Sequence, residues 1–299
     1  MPQVNNEIVR IFMNKGWDYE SNARFQIPFK RAYNQYRILK KSKKKINLDL
    51  YLELLELFTV YDEIKYNELI QKSVEKISDH IKKFEVKKVF FIPLISPNII
   101  QENKIQYYSE LNSSTFLLYQ HKSSKFQSIL REYIDEDITV EFLKNINMIR
   151  NDKYLVQRLK KINNDSRGEI IILLDDFSGS GNSVINTLDI LDSVSTSLLD
   201  KTMVSLLFVT DDAMKKIEEK YVNCKISYEI RVDKLCYLYD EAEYEIVKSE
   251  IEKISEELDI TENRLGYNND GCLVSLMRTP NNTIGIFSDT EKGIFPRDK

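Results

Sequence analysis

Along the first part of the chain, apolar residues recur at the spacing of a helix with one buried face. Leu50, Leu52, Leu54, Leu55 and Leu57 lead into Ile64, Leu69, Val74 and Ile77, the three-and-four period of an amphipathic helix. From Asn5 to Lys83 this pattern predicts helices, with Asn47 and Asp49 as caps of the longest one. The polar stretch Lys40 to Asn47 reads as the connection before it. After Lys88 the pattern changes. Val89 to Ile95 is a short continuous apolar run, as in a strand buried on both faces, and it stops at Ser96 and Pro97. Thr115 to Tyr119 reads as a second strand, and helix-like spacing then continues to Lys161. Beyond the polar Asn163 to Gly168, Ile170 to Leu174 is again strand-like, followed by a small-residue turn and a helix from Asn182. Met203 to Val209 predicts a strand, Ala213 to Tyr221 a helix, and Ile226 to Val232 a further strand. Glu241 to Leu258 reads as a charged amphipathic helix. Leu273 to Met277 and Thr283 to Phe287 read as two strands joined by Arg278, Thr279, Pro280, Asn281 and Asn282, residues suited to a hairpin turn.

Strands alternating with helices point to an α/β fold with a parallel sheet covered on both faces. The expected division is a helical N-terminal unit over residues 1–84 and an α/β domain over 85–299, the latter including the C-terminal helix and β-hairpin of residues 240–299. The pattern shows no internal repeat.

Charge narrows the classes of partner. Lys and Arg total 43 against 47 Asp and Glu, a net charge of -4, so no global basic field favours nucleic acid. Lys40, Lys41, Lys43, Lys44 and Lys45 form the clearest basic run; it reads as a solvated helix end, with phosphate contact as the alternative. Cys224, Cys236 and Cys272 lack CxxC spacing and no signal-like segment opens the chain, which leads to the expectation of a reducing cytoplasm. No apolar run approaches the roughly 18 residues that cross a bilayer. His80 and His121 have no partner at metal-ligand spacing. Trp17 and the tyrosines read as core or interface residues. With only 8 glycines in the chain, the close pair Gly179 and Gly181 marks a backbone that needs them.

The chemistry concentrates between Ile170 and Leu188. The strand Ile170 to Leu174 runs onto two adjacent carboxylates, Asp175 and Asp176, and in a parallel sheet ligands bind beyond the carboxyl ends of the strands. Phe177, Ser178, Gly179, Ser180, Gly181, Asn182 and Ser183 follow. Small residues let backbone N–H groups approach an anion at a helix N-terminus. The hydroxyls of Ser178, Ser180 and Ser183 add donors, and the two carboxylates suit ribose hydroxyls or Mg²⁺.

This arrangement resembles the PRPP motif of type I phosphoribosyltransferases, in which an apolar strand, two acids and a small-residue turn follow one another. The resemblance implies a parallel-sheet, Rossmann-like phosphoribosyltransferase fold, with Asp175 and Asp176 on the ribose diol and Ser178, Gly179, Ser180, Gly181, Asn182 and Ser183 around the 5′-phosphate. It implies PRPP with Mg²⁺ as ligand, the metal reached indirectly through the same two acids. Together with Leu265-Gly266-Tyr267 and Thr279-Pro280-Asn281-Asn282-Thr283, the motif is similar to phosphoribosyltransferase-like proteins of bacterial conflict and retron defence systems. That likeness spans Val89 to Arg297 and implies an antiviral defence setting. The chain departs from the classical enzymes in one place: Pro93 to Asn98, where a pyrophosphate loop would stand, contains no glycine. No catalytic residue is assigned; Asp211, Asp212 and Arg278 are candidates to line the site of a second substrate.

Other readings compete for the same residues. An amino-methyltransferase using S-adenosylmethionine also carries an acid and then Phe-x-Gly-Ser-Gly, but its D/N-P-P-Y/F partner is absent. A Walker A loop needs a Lys that this turn lacks. A dinucleotide site places its acid at the end of the next strand, and Asp211 and Asp212 keep that reading open. In the plainest reading, the two glycines only close a tight turn. Two functions from different classes follow. One is a glycosyltransferase acting on PRPP or a related ribose phosphate. The other is a sensor or effector subunit that keeps the pocket while the N-terminal helices dock a protein or nucleoprotein partner.

Overall fold

The computed structural model describes residues 6–94, 130–142, 153–164, 168–269, 271–276 and 279–297. They form two compact units, residues 1–66 with 232–299, and residues 67–231. The chain ends therefore share one unit, unlike the expected division at 84/85.

The second unit is built on a five-stranded sheet. Its strands β2 (Lys88–Pro93), β3 (Thr139–Phe142), β4 (Glu169–Ser178), β5 (Thr202–Thr210) and β6 (Lys225–Val232) lie in the order β3-β2-β4-β5-β6. β2 runs parallel to β3 and β4, and β4 runs parallel to β5. The connections hold the helices α5 (Lys153–Asn164), α6 (Asn182–Val194) and α7 (Asp211–Lys220). Phe90, Ile92, Ile171, Leu173, Val204 and Leu206 share one core with Leu159 and Ile162 of α5, Leu188 of α6 and Ile217 of α7. The members alternate along each strand because successive side chains point to opposite faces. From the other set, Ser205 meets Ser73 of α4 (Glu63–Lys83) in a buried hydroxyl pair at 2.7 Å. Every residue of β5 is buried, as a strand covered on both faces requires.

In the first unit, α1 (Asn6–Asn14), α2 (Ala23–Lys41), α3 (Leu48–Leu57) and α8 (Glu241–Glu257) surround an aromatic core. Trp17 lies edge-on to Phe12 at 5.0 Å and to Phe295 at 5.4 Å, and Phe58 stacks on Phe287 at 4.0 Å. Polar side chains of α2 fasten the C-terminal segment by its backbone. Arg31 Nη1 donates to Gly293 O at 2.6 Å, and Gln35 Nε2 to Ile286 O at 3.2 Å and Lys292 O at 2.8 Å.

Three sequence expectations are corrected. The long helix expected from Asn47 onward ends at Leu57, although Asn47 caps it by accepting from Leu50 N at 3.1 Å. β1 (Thr59–Val60) interrupts the run and pairs in parallel with β7 (Val274–Ser275). β7 is thus not the first arm of a hairpin, and Gly285–Ser288, within the expected second arm, is a helical turn, α9. Thr279 and Thr283 send their hydroxyls to Phe295 O and Val274 O, at 2.8 Å and 2.7 Å, and so fold the connection into the core rather than across a ladder. Finally, Thr139–Phe142, read as part of a helical stretch, is β3; its alternating Thr-Val-Glu-Phe suits a strand. The strand expected at Thr115 to Tyr119 lies outside the described residues.

Candidate functional site

β4 is longer than the apolar pattern indicated, continuing through Asp175 and Asp176 to Ser178. Its ladder to β2 ends with Pro93 opposite Leu174, whereas the ladder to β5 goes on, with Asp175 opposite Leu206 and Ser178 opposite Val209. The acids accordingly sit within the strand, and both are buried: Asp175 is 8% and Asp176 4% exposed. Asp176 N donates to Asp175 Oδ1 at 2.9 Å. Burial, and next the negative charge of Asp176, raise the Asp175 carboxyl well above the usual carboxylate range, because the charged form loses solvation and gains a like-charged neighbour. A carboxyl in that state favours ligands that donate hydrogen bonds or bring positive charge.

Beyond Ser178 the chain turns through Gly179, Ser180 and Gly181 into α6. Gly181 is the N-cap, in the left-handed region at φ 72° and ψ −7°, and no side chain caps the helix there. A Cβ at this position would also lie 3.1 Å from Ala213 O and 3.3 Å from Ile217 Cγ1. Conformation and close approach to α7 thus both call for glycine. Ile185 N donates to Gly181 O at 2.9 Å. The small turn thus leads into the first turn of α6 at the carboxyl end of a central strand. All eight predicted site residues, 175, 176 and 178–183, fall in this one strand–turn–helix segment.

The next strand and helix contribute residues that sequence reasoning missed. Thr210, fully buried at the end of β5, donates from Oγ1 to Gly179 O at 2.6 Å and accepts from Ala213 N at 3.2 Å. Lys216 Nζ donates to Asn182 Oδ1 at 2.6 Å. A Thr three residues ahead of Ala213 at a helix start is a legible N-cap signal; its bond back to Gly179 has no trace in sequence. Of the acids suggested for a second substrate, Asp211 pairs with Arg231 at 3.1 Å, and both it and Asp212 lie in the first turn of α7. Arg278 lies outside the described residues, as do 95–98 of the expected pyrophosphate loop.

The two distal motifs meet one another in the first unit. Tyr267 N donates to Asn281 O at 3.1 Å, and a Cβ on Gly266 would lie 2.4 Å from Asn282 O. The basic run is partly neutralised, with Lys44 Nζ 3.5 Å from Glu256 of α8. Among the described residues no group of three or more His, Cys, Asp or Glu is arranged to hold a metal ion, and no helix is long and apolar enough to cross a membrane.

Comparison with known proteins gives the family. No curated protein matched. Among solved structures, the hypoxanthine-guanine phosphoribosyltransferase of Schistosoma mansoni in complex with IMP is similar at 14% identity and a TM-score of 0.29, over 55% of this chain and 65% of that one. The chain thus spans just under two thirds of that enzyme's length. The PRTase-CE family matches residues 33–297, most of both compact units. The chain therefore belongs to the PRTase-CE family, and it is a phosphoribosyltransferase-like α/β protein with a parallel sheet.

Proposed function

We propose that this chain binds PRPP or a related ribose 5-phosphate through the β4–α6 segment and transfers or cleaves the ribosyl group. The observation that carries the reading is the sequence of two buried carboxyls, a glycine-bent turn and an uncapped helix start at the carboxyl end of a central parallel strand. In it, residues 178–183 hold the 5′-phosphate through backbone N–H groups and hydroxyls, and Asp175 and Asp176 accept from the ribose hydroxyls. The chemistry of such a site is positioning: the ribose is fixed at both ends while C1 develops positive charge.

Mg²⁺ fits the donor set in kind, since the carboxyls are hard oxygen ligands, and it fits in number only if the ligand supplies the rest. Asp175 and Asp176 would be the residues that hold it, and the metal would supply neutralisation of the leaving pyrophosphate. The setting implied by the family resemblance is bacterial antiphage defence. A second reading, a non-catalytic sensor or effector that docks a protein or nucleoprotein partner, is favoured by one feature, the absence of glycine from Pro93 to Asn98.

Calorimetric titration of PRPP with Mg²⁺ into the wild type and a folded Asp175→Asn, Asp176→Asn variant tests the proposal. Saturable binding that the variant loses is the expected result; a well-folded wild type that binds nothing overturns it. Pyrophosphate release that depends on the same pair marks an enzyme. Intact ligand after long incubation marks a sensor.

A further inference from the structure

We propose that Thr210 is the positioning residue of the phosphate turn, setting the direction in which the Ser180 N–H is presented; this rests on the ribose-phosphate reading above. The β4–β5 register ends with Ser178 opposite Val209, so the next residue of each strand, Gly179 and Thr210, stand side by side where the turn begins. The Thr210 hydroxyl has its hydrogen committed to Gly179 O at 2.6 Å and accepts from Ala213 N at 3.2 Å. It is fully buried, so water does not compete for either bond.

Peptide planarity carries the argument from the carbonyl to the amide. In a trans peptide the C=O and the following N–H point in opposite directions, and no cis peptide is present among the described residues. Fixing Gly179 O against Thr210 therefore aims Ser180 N–H away from β5. Glycine at 179 would otherwise let this peptide rotate at low cost, and an anion cradle works only if its donors face the ligand before it arrives. One hydroxyl thereby couples the N-cap of α7 to the peptide that opens the cradle of α6. The side chain touches no ligand itself; its effect passes through a peptide plane.

The test compares Thr210→Val, which keeps the shape and removes the hydroxyl, with Thr210→Ser, which keeps the hydroxyl. Ribose 5-phosphate is titrated into each full-length protein, and the direction of the Ser180 N–H is read from residual dipolar couplings. Thr210→Val is expected to weaken binding about tenfold, the scale of one lost hydrogen bond, and to change the Ser180 coupling, with Thr210→Ser restoring both. Leu198→Val, which loosens the same core at the far end of β5 from the turn, controls for stability and should leave affinity unchanged. If Thr210→Val binds like the wild type, or the Ser180 coupling is the same in both, the inference fails. If the wild type binds no ribose phosphate, the function proposed above fails, while an altered coupling in Thr210→Val still upholds the role of Thr210 in orienting the turn.

Discussion

Asp175 shows how burying a carboxyl beside a like charge costs the fold. Its carboxyl is raised well above the ordinary 3.8 by burial and by Asp176, so the folded protein keeps a proton that the unfolded chain releases. The stability tied to that proton is complete below 3.8 and is lost as pH rises through the higher folded value. Asp175→Asn, which cannot ionise, should therefore melt at a higher temperature than the wild type at pH 7, with the gain shrinking as pH falls toward 3.8. Thermal melts across that range check this, and a variant less stable at pH 7 would contradict it. The acids, the glycines and the hydroxyls of the turn were legible in the sequence because their chemistry is local. Their burial was not, since it depends on how far the β5 ladder extends beside them. Thr210 escaped notice for the same reason: its partner, Gly179, is distant in sequence and adjacent only through strand register.

At the scale of elements, α4 and β6 meet at a contact that responds to acid. His80, buried in the last turn of α4, takes a hydrogen bond at Nδ1 from Lys225, the first residue of β6, and its ring lies 4.7 Å from that of Phe84. Burial first, then the charges of Lys225 and Lys83, lower its pKa from 6.5 to about 4. The unfolded chain thus takes up a proton before the folded one does. Stability from this contact is full above 6.5 and is lost as pH falls toward 4. His80→Gln, which accepts from Lys225 without titrating, should flatten the fall of the urea midpoint between pH 6.5 and 4; an unchanged slope would remove His80 as its cause. Elements with strong local period, β5, α6, α7 and α8, were foreseen, and α8 begins as its sequence indicates, with the Asp240–Glu243 capping box. Those decided by distant partners were foreseen only in part. β7 was read as a strand but its partner is β1, a two-residue strand that no local period marks, and α9 is held by Ser288 bonding back to Thr283 O at 2.8 Å.

Over the whole molecule, the fold class was readable because parallel strands and covering helices impose a repeating pattern, but the division into units was not, since nothing local says that the two ends of a chain pack together. Phe295 is the residue on which that packing turns, lying 5.4 Å from Trp17 and 5.2 Å from Phe58. Phe295→Ala should cost about 3–5 kcal/mol, the usual range for a large buried aromatic. Because Trp17 is the lone tryptophan, its fluorescence should shift to the red as the loss of Phe295 admits water; unchanged emission and denaturant midpoint would deny Phe295 this role. The shared unit also has a consequence in time. Residues 67–231 are all synthesised before residue 232, so the sheet can close while the chain is still being made. The helices ahead of residue 67, though translated before the sheet, lack the C-terminal part of their aromatic core until Phe287 and Phe295 leave the ribosome. Domains ordinarily fold in the order of their synthesis; here helices made before the sheet complete their core after it, and a chain cut short ahead of Phe295 keeps the residues of the sheet while Trp17 and Phe58 lack their aromatic partner.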